Sequence, residues 1–372
     1  MAGTLAACEL RNRVRYAIAS AEDEAGIRRL LRENPMAGAV SLTFQREPDY
    51  FRGANLAGGR DRTIVAYEKE RPVCLGRATE RDCWVDGQSR LVTYLGELRL
   101  DRLARRRFQI IRDGYRFFQE HHSGTPCFTS IASDNARARR ILESGAGGLP
   151  AYEFLAELST LLVELPRRPR STRLRAVPVT ASTLPRAMQW LNRHGQGHQL
   201  ATVWTEERLR NLGSVGLPLS RMSIVLSGEE PIGCAALWDQ RGFRQTVVQG
   251  YSGPLGVVHP LVSFCRRAVG RPVLPPPGSV LNQAFLCPWA PADQSSERLD
   301  ELVEALVPLA LRAGFDWLTL ALPTSDPRIA SIRRRWSTRV WSSRLYRVGV
   351  GGSVGSEWFG SKLPLLPDVA LL

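Results

Sequence analysis

Residues 94–118 constrain the fold of this chain more than any other part of the sequence. They begin inside a predicted strand, residues 91–100, and continue into a helix predicted over 106–121. The apolar residues of that helix recur at helical spacing, namely Phe108, Ile111, Tyr115 and Phe118. Between strand and helix lies a basic turn with Arg102, Arg105, Arg106 and Arg107. A helix start offers free backbone N–H groups and the positive end of the helix dipole, so this turn is suited to a phosphate. The alternative is a solvated helix start, which is common for runs of charge.

A second strand and helix repeat this order shortly afterwards. Residues 127–132 are apolar and predict a strand, and a helix is predicted over 135–143. That helix opens with Ser133, Asp134 and Asn135, residue types that cap helix N-termini. Further strands are predicted over 15–19, 63–68, 73–79 and 152–165. Strands and helices in this order indicate an α/β (α+β) fold.

The length of 372 residues indicates two domains rather than one. Residues 166–173 hold two prolines and four arginines without an apolar period, which predicts a linker. The predicted organisation is a flexible N-terminus over 1–13, a first domain over 14–165, a second domain over 174–349 and a tail over 350–372. The second domain repeats the first, because Ser325-Asp326-Pro327 precedes a basic helix as Ser133-Asp134-Asn135 does.

The net charge of +14 raises the question of a nucleic-acid partner. Lysine occurs only at positions 69 and 362, so arginine carries nearly all of the positive charge, and the arginines are spread along the chain. This pattern is typical of a compositional bias and argues against nucleic-acid binding. A single anionic small molecule needs only one cluster of arginines.

The sequence predicts neither a metal site nor a disulfide framework. Its seven cysteines are odd in number, and none forms a Cys-x-x-Cys pair. His194 and His198 have the spacing of a helical metal pair, but Gly195 and Gly197 argue against a helix there. No apolar run reaches the length of a membrane span and no signal peptide follows Met1. We therefore expect no membrane partner and a cytoplasmic location.

The order of elements resembles the GNAT superfamily of acyl-CoA-dependent N-acyltransferases, whose pattern can be laid on about residues 14–165 and 173–349. The resemblance implies two GNAT-like domains, each a twisted, mixed and mostly antiparallel sheet flanked by helices. It also implies an acyl-CoA co-substrate, either acetyl-CoA or another acyl-CoA, and no metal. The family's coenzyme signature falls on residues 98–108, and its next motif falls on Asn135 and Ala138. The cofactor-binding residues implied in this way are Leu98, Leu100, Arg105, Arg106, Arg107, Phe108 and Asn135.

The sequence departs from the family pattern at three places. Arginines 105–107 stand where the family usually has glycines, which let a backbone approach a phosphate closely. Their side chains either replace some of those backbone contacts or block the coenzyme. Leu142 stands at the place of a frequent tyrosine. In the second copy Pro327 replaces the asparagine, so we expect that copy to have a structural or substrate-shaping role.

The resemblance implies direct attack of an amine on the acyl-CoA thioester. This reaction needs a base for the amine, N–H donors for the oxyanion and an acid for the leaving thiolate. Glu97 is the candidate base, and the alternative is a strand carboxylate paired with a nearby arginine. Tyr152 is the candidate acid, and the alternative is a core tyrosine with its hydroxyl at the surface. Asn135 either contacts the coenzyme or opens its helix. Splaying of the central strand would leave backbone groups near Leu98 and Leu100 free for the coenzyme.

The sequence therefore predicts an N-acyltransferase that acts on an amine of a small molecule or a protein. The alternative is a catalytically inactive GNAT-like protein that binds a ligand or regulates a partner, because the loop glycines and the tyrosine are missing. A basic protein associated with nucleic acid is a third hypothesis. Whether the chain forms a homo-oligomer stays open.

Overall fold

The strands of both halves of the chain join into one continuous sheet. The computed structural model describes residues 14–36, 38, 40–54, 56, 59–104, 107–167, 172–293, 298–350 and 359–372. Within these residues the strands are β1 (Arg15–Ile18), β2 (Val40–Gln45), β3 (Asp61–Glu68), β4 (Arg71–Val85), β5 (Gln88–Leu100), β6 (Cys127–Ala132), β7 (Ala151–Glu164), β8 (Leu174–Pro178), β9 (Met222–Ser227), β10 (Glu230–Trp238), β11 (Gln245–Tyr251), β12 (Gln283–Pro291), β13 (Trp317–Pro323) and β14 (Thr338–Gly349). The α-helices are α1 (Glu24–Glu33), α2 (Gln109–Glu120), α3 (Ala136–Glu143), α4 (Leu184–Gln196), α5 (Glu206–Asn211), α6 (Pro254–Ala268), α7 (Leu299–Arg312) and α8 (Arg328–Arg335).

Twelve strands form the main sheet, in the order β1-β3-β4-β5-β6-β14-β7-β13-β12-β10-β9-β8. β2 pairs with β11 in a separate two-stranded sheet. The pairs β5–β6 and β12–β13 are parallel, and their neighbours in the main sheet are antiparallel. The predicted α/β (α+β) fold, with a mixed and mostly antiparallel sheet flanked by helices, is confirmed.

Local sequence explains the turns and helices of the first half. Lys69 and Glu70 join β3 to β4, and Asp86 and Gly87 join β4 to β5, all with positive φ. Two consecutive residues of positive φ form the type I′ turn that suits the twist of an antiparallel hairpin. In α1 the buried residues Ile27, Leu30 and Leu31 recur at helical spacing, so one face of the helix packs on the sheet.

The closing strands of the two halves are exchanged. β14, from the end of the second half, lies between β6 and β7 of the first half. β7 in turn pairs with β13, with Leu161 opposite Leu320. The predicted linker at 166–173 therefore does not separate two sheets, and the proposed division into domains stays a prediction. Residues 1–13, 168–171 and 351–358, which fall in the predicted N-terminus, linker and tail, lie outside the described residues.

Two elements were missed by the sequence analysis. β2 lies where the sequence analysis predicted no strand, and its partner β11 comes from the other half of the chain. α6 contains Pro260, which breaks the pattern expected of a helix. The argument from Gly195 and Gly197 against a helix at His194 was wrong, because α4 includes His194 and Gly195. Glycine suits that position, because a Cβ there would lie 2.5 Å from the ring of Trp84.

The end of the sequence packs against the protein. Leu366 and Ala370 are buried, and Leu366 joins the large core of the second half, which includes Leu302 and Leu306 of α7. Within the described part of the chain, no helix has both the length and the apolar character that crossing a membrane requires. The same residues contain no group of three or more side chains placed to hold a metal ion.

Candidate functional site

The parallel strands β5 and β6 separate after a short paired region. They pair only at Thr93↔Cys127, Tyr94↔Phe128 and Leu95↔Thr129. The Thr129 hydroxyl closes this region by donating a hydrogen bond to the carbonyl oxygen of Leu95, at 2.6 Å. Beyond it, β5 stays paired with β4 while β6 stays paired with β14, so a gap opens within the sheet.

A bulge in β5 accompanies this separation. The register between β4 and β5 shifts between Leu75 and Arg77, and Glu97 has a φ of 55° at this point. A bulge bends a strand and increases its twist. A non-glycine residue with positive φ is strained and persists only where its surroundings hold it, as happens at functional sites.

The gap opens into a cavity of about 670 Å³ that is lined from both sides of the sheet. We call the side covered by α2 and α3 the α2 face, and the side covered by α1, β2 and β11 the β2 face. The α2 face contributes Ile110, Ile111, Gly114, Tyr115, Ala138 and Leu142. The β2 face contributes Met36, Val40, Leu42, Phe44, Arg46 and Arg244. The residues of both halves thus build one cavity.

The backbone of β5 beyond the bulge is directed toward the gap at alternate residues. The N–H of Asp101 donates to the carbonyl of Val73 on β4, at 2.8 Å. Backbone groups alternate in direction along an antiparallel strand, so those of Leu98 and Leu100 point away from β4. Leu98 also lines the cavity. Leu98 is therefore placed at the cavity and Leu100 is not among its lining residues, and coenzyme contacts at both stay a prediction.

Glu97 is held by two arginines. Arg46 Nε donates to its Oε1 at 2.6 Å, the Tyr50 hydroxyl donates to its Oε2 at 3.0 Å, and Arg77 Nη1 lies 3.7 Å from Oε1. Burial raises the pKa of Glu97, but the charges of Arg46 and Arg77 outweigh burial and lower the pKa to about 2. This geometry matches the alternative of an ion-paired strand carboxylate, and a role as base stays a prediction.

Tyr152 lies at the cavity on the α2 face. Its hydroxyl forms a hydrogen bond with the hydroxyl of Tyr115, and both residues line the cavity. Burial raises the pKa of Tyr152 well above its usual value and that of Tyr115 to about 12. Tyr152 therefore keeps its proton at neutral pH, and its role as acid stays a prediction. The alternative of a surface hydroxyl is not what the structure shows.

The predicted phosphate corner is only partly described, because Arg105 and Arg106 lie outside the described residues. Arg107 pairs with Glu68, with Nη1 2.7 Å from Oε1. Phe108 precedes α2 and is partly exposed, and its carbonyl accepts a hydrogen bond from the N–H of Ile111 at 3.0 Å. Whether this turn binds phosphate stays a prediction.

Asn135 caps α3, and its side chain accepts a hydrogen bond from the N–H of Ala138 at 3.2 Å. This is the helix-opening role that the sequence left as one of two alternatives. Asn135 also lines the cavity, which keeps a coenzyme contact open as a proposal.

The sequence analysis missed a group of four arginines, which we call the arginine cluster: Arg46, Arg77, Arg99 and Arg244. All four line the cavity. Arg77 and Arg99 project from β4 and β5 on the β2 face, where Arg99 lies opposite Leu75 in the register. Charged residues inside predicted strands were an available signal for these two. Arg46 and Arg244 lie far apart in sequence and meet only in the fold.

In the second half, apolar side chains pack at the position that corresponds to the gap between β5 and β6. β12 and β13 also pair in parallel over three residues, from Gln283↔Trp317 to Phe285↔Thr319. Trp289 of β12, however, is buried in one apolar cluster with Leu320 and Leu322 of β13. The ring of His194 lies 4.9 Å from that of Trp289. This packing is consistent with the structural role expected of the second copy.

Comparisons with known proteins find structures of similar fold but no curated protein of similar sequence. No family model and no curated protein matches the chain. Two crystal structures of Saccharomyces cerevisiae N-myristoyltransferase with bound myristoyl-CoA align with TM-scores of 0.57, at 11% and 12% identity. These alignments cover 90% of this chain and 79% and 82% of the other two. A GCN5-related N-acetyltransferase from Kribbella flavida aligns over 91% of this chain and 71% of its own, at 11% identity. The TM-score of that alignment is 0.48. The chain has the tandem GNAT-like fold that it shares with N-myristoyltransferase.

Proposed function

We propose that this protein transfers an acyl group from acyl-CoA to an amine in the gap between β5 and β6. The observation that carries the proposal is the gap itself, with a cavity of about 670 Å³ lined from both faces of the sheet. An extended, amide-bearing coenzyme arm can hydrogen-bond to the backbone groups of Leu98 and Leu100. The N-myristoyltransferase structures with bound myristoyl-CoA support this ligand, because they have the same fold.

The reaction we propose is a direct transfer. The amine nitrogen attacks the thioester carbonyl carbon, an amide bond forms, and the carbon–sulfur bond breaks. A backbone N–H of β5, such as that of Leu98, stabilises the negative charge that develops on the carbonyl oxygen. Tyr152 gives its proton to the leaving thiolate, and the proton lost by the amine passes to solvent. Acyl-CoA enters from the α2 face and the amine from the β2 face, so the two substrates meet in the gap.

The acyl group can be acetyl or longer. Apolar side chains such as Ile111, Leu142 and Phe118 line the cavity on the α2 face. They suit an aliphatic chain, but a short acyl group also fits a cavity of this size. The test therefore includes both acetyl-CoA and myristoyl-CoA.

Binding and turnover of acyl-CoA test the proposal. Calorimetric titration with each acyl-CoA is compared with release of free CoA thiol in the presence of small amines and peptides. Ala138→Trp places a large ring in the cavity and is expected to reduce affinity at least tenfold. Ala136→Trp, two residues earlier on the exposed side of the same helix, is the matched control and is expected to bind as the wild type does. Equal binding by both variants, or no binding by the wild type, would contradict the proposal.

A protein that binds acyl-CoA without transferring the acyl group is the second candidate. Leu142 stands where the resembling family often has a tyrosine, and it is buried against Tyr346. Tight binding without thiol release on any amine would favour this candidate.

A further inference from the structure

The arginine cluster carries more positive charge than the side chains around it balance. Arg77 pairs with Asp61, with Nη2 2.7 Å from Oδ2, and Arg46 pairs with Glu97. Arg99 makes its hydrogen bonds to the carbonyl of Leu98, at 3.0 Å, and to a methionine sulfur. Within the described residues, neither Arg99 nor Arg244 forms an ion pair with an acidic side chain. Among the described residues, Arg99 is thus the member of the cluster whose hydrogen-bond partners are all neutral.

Arg244 is held by main-chain oxygens. It donates from Nη1 to the carbonyl of Ala370 at 3.2 Å and from Nη2 to Leu372. Burial lowers the pKa of Arg244 to about 10, helped by the nearby charge of Arg46, and burial also lowers the pKa of Arg99. Arg244 therefore already has oxygen partners, whereas Arg99 is bonded only to a carbonyl and a thioether. Removing the Arg99 charge from water without a counterion is costly, so an anion bound beside Arg99 would stabilise this arrangement.

The position of the cluster separates it from the proposed coenzyme site. Leu75, which lies opposite Arg99, packs with Ile27 and Leu30 of α1 on the β2 face. Leu98 packs with Ile110 of α2 on the other face. The cluster therefore faces the side from which the proposed function brings the amine, away from the basic turn that precedes α2.

We propose that the acceptor amine also carries an anionic oxygen group, which Arg99 binds on the β2 face. Guanidinium groups bind carboxylates and phosphates with two parallel hydrogen bonds, so the cluster can orient such a group as well as attract it. The amine of the same molecule then points into the gap. This inference rests on the proposed acyl transfer and names the class of its acceptor: acidic amines rather than neutral or cationic ones.

Matched acceptors test the inference. Amines that carry a carboxylate are compared with the corresponding carboxamides and phosphonates, in a thiol-release assay with saturating acyl-CoA. The wild type is expected to prefer an anionic amine over its carboxamide at least tenfold in kcat/KM. The carboxylate and phosphonate series show which anion the cluster takes. Equal use of acids and carboxamides would overturn the inference.

Variants of the cluster locate the effect. Arg99→Met is expected to remove most of the preference for anionic amines, Arg99→Lys to retain part of it, and acyl-CoA affinity to stay unchanged in both. Arg140→Met, which removes an exposed positive charge on α3, is the control and is expected to keep the full preference. A loss of acyl-CoA affinity in Arg99→Met with unchanged acceptor preference would assign the cluster to the coenzyme and overturn the inference.

A binding measurement separates this inference from the proposed reaction. N-acylated acidic amines and their carboxamides are titrated onto the wild type and Arg99→Met in the presence of CoA. Stronger binding of the acid that depends on Arg99 supports the anion site even if no amine is acylated. In that case the proposed acyl transfer is wrong, whereas the anion-binding site at Arg99 is supported. Equal binding of acid and carboxamide overturns the inference whether or not turnover is found.

Discussion

Replacing Glu97 with glutamine tests how the centre of the site is held together. The pKa of Glu97 falls from 4.5 to about 2 in the folded protein, against the effect of burial, because of Arg46 and Arg77. A lowered pKa of this size corresponds to about 3 kcal/mol of stability at neutral pH. Removal of one partner of a buried ion pair costs roughly 3–5 kcal/mol in other proteins. We therefore expect Glu97→Gln to lower the free energy of unfolding by about 3 kcal/mol.

The pH dependence of this effect has a definite sign. A carboxyl whose folded pKa is lowered stabilises the protein above its unfolded pKa, and this stability is lost as the pH falls toward the folded pKa. The wild type should lose the contribution between pH 4.5 and about 2. The difference between wild type and Glu97→Gln should therefore shrink over the same range. Urea unfolding, followed by the fluorescence of the nine tryptophans, measures both quantities.

Two controls sharpen the measurement. Glu120→Gln removes an exposed carboxylate at the end of α2 and should change stability by less than about 0.5 kcal/mol. Arg46→Met combined with Glu97→Gln should recover part of the loss, because the second change removes a charge that the first left unpaired. A loss below about 1 kcal/mol in Glu97→Gln would refute the argument from ion pairing. If the variant is stable but transfers no acyl group, the carboxylate acts as the base instead.

Three further predictions concern other positions. Gly96→Ala places a Cβ 2.7 Å from the ring of Tyr94, so this overpacking should cost about 1–3 kcal/mol of stability and weaken acyl-CoA binding. The control is Gly76→Ala, whose Cβ would lie 3.9 Å from its nearest neighbour, and it should change neither stability nor binding. Urea unfolding measures the stability, and titration with acyl-CoA measures the binding. Tyr152→Phe should lower kcat at least about 100-fold, with little change in acyl-CoA affinity, in the thiol-release assay. Burial lowers the pKa of His194 from 6.5 to about 3, so the unfolded state takes up a proton that the folded state refuses, and stability should fall as the pH decreases from 6.5. The slope should approach about 1.4 kcal/mol per pH unit and be reduced in His194→Leu.

Hydrophobic periodicity in the sequence predicts most of the main sheet. The strand over 127–132 and the helix that Asn135 opens were predicted correctly, because their apolar spacing and capping residues are local. β2 was missed because it is short and completes its pairing only with a strand two hundred residues away. α6 was missed because Pro260 interrupts it and its exposed side carries apolar residues, Val257, Leu261 and Phe264, so no polar face marks its period.

The candidate site was predictable only in part. The position of the gap follows from the order of strands and helices along the chain, and local apolar spacing and capping residues predict that order. Its chemistry depends on Arg46 and Arg244, which join Arg99 only after both halves have folded together. No spacing in the sequence relates these residues. The same holds for the bulge at Glu97, because its positive φ is imposed by partners on other elements.

The exchange of β7 and β14 has a consequence for how the molecule is made. The strand that completes the sheet beside β6 is synthesised last, more than two hundred residues after β6 itself. During translation, the first half leaves the ribosome with an uncovered strand edge, and such edges are prone to wrong pairing. A polypeptide truncated at the linker would lack β14, so the edge of β6 would stay uncovered. We therefore expect that the first half cannot be obtained as a separate soluble fragment. Co-expression of the two halves on separate chains, in contrast, should restore the sheet by complementation.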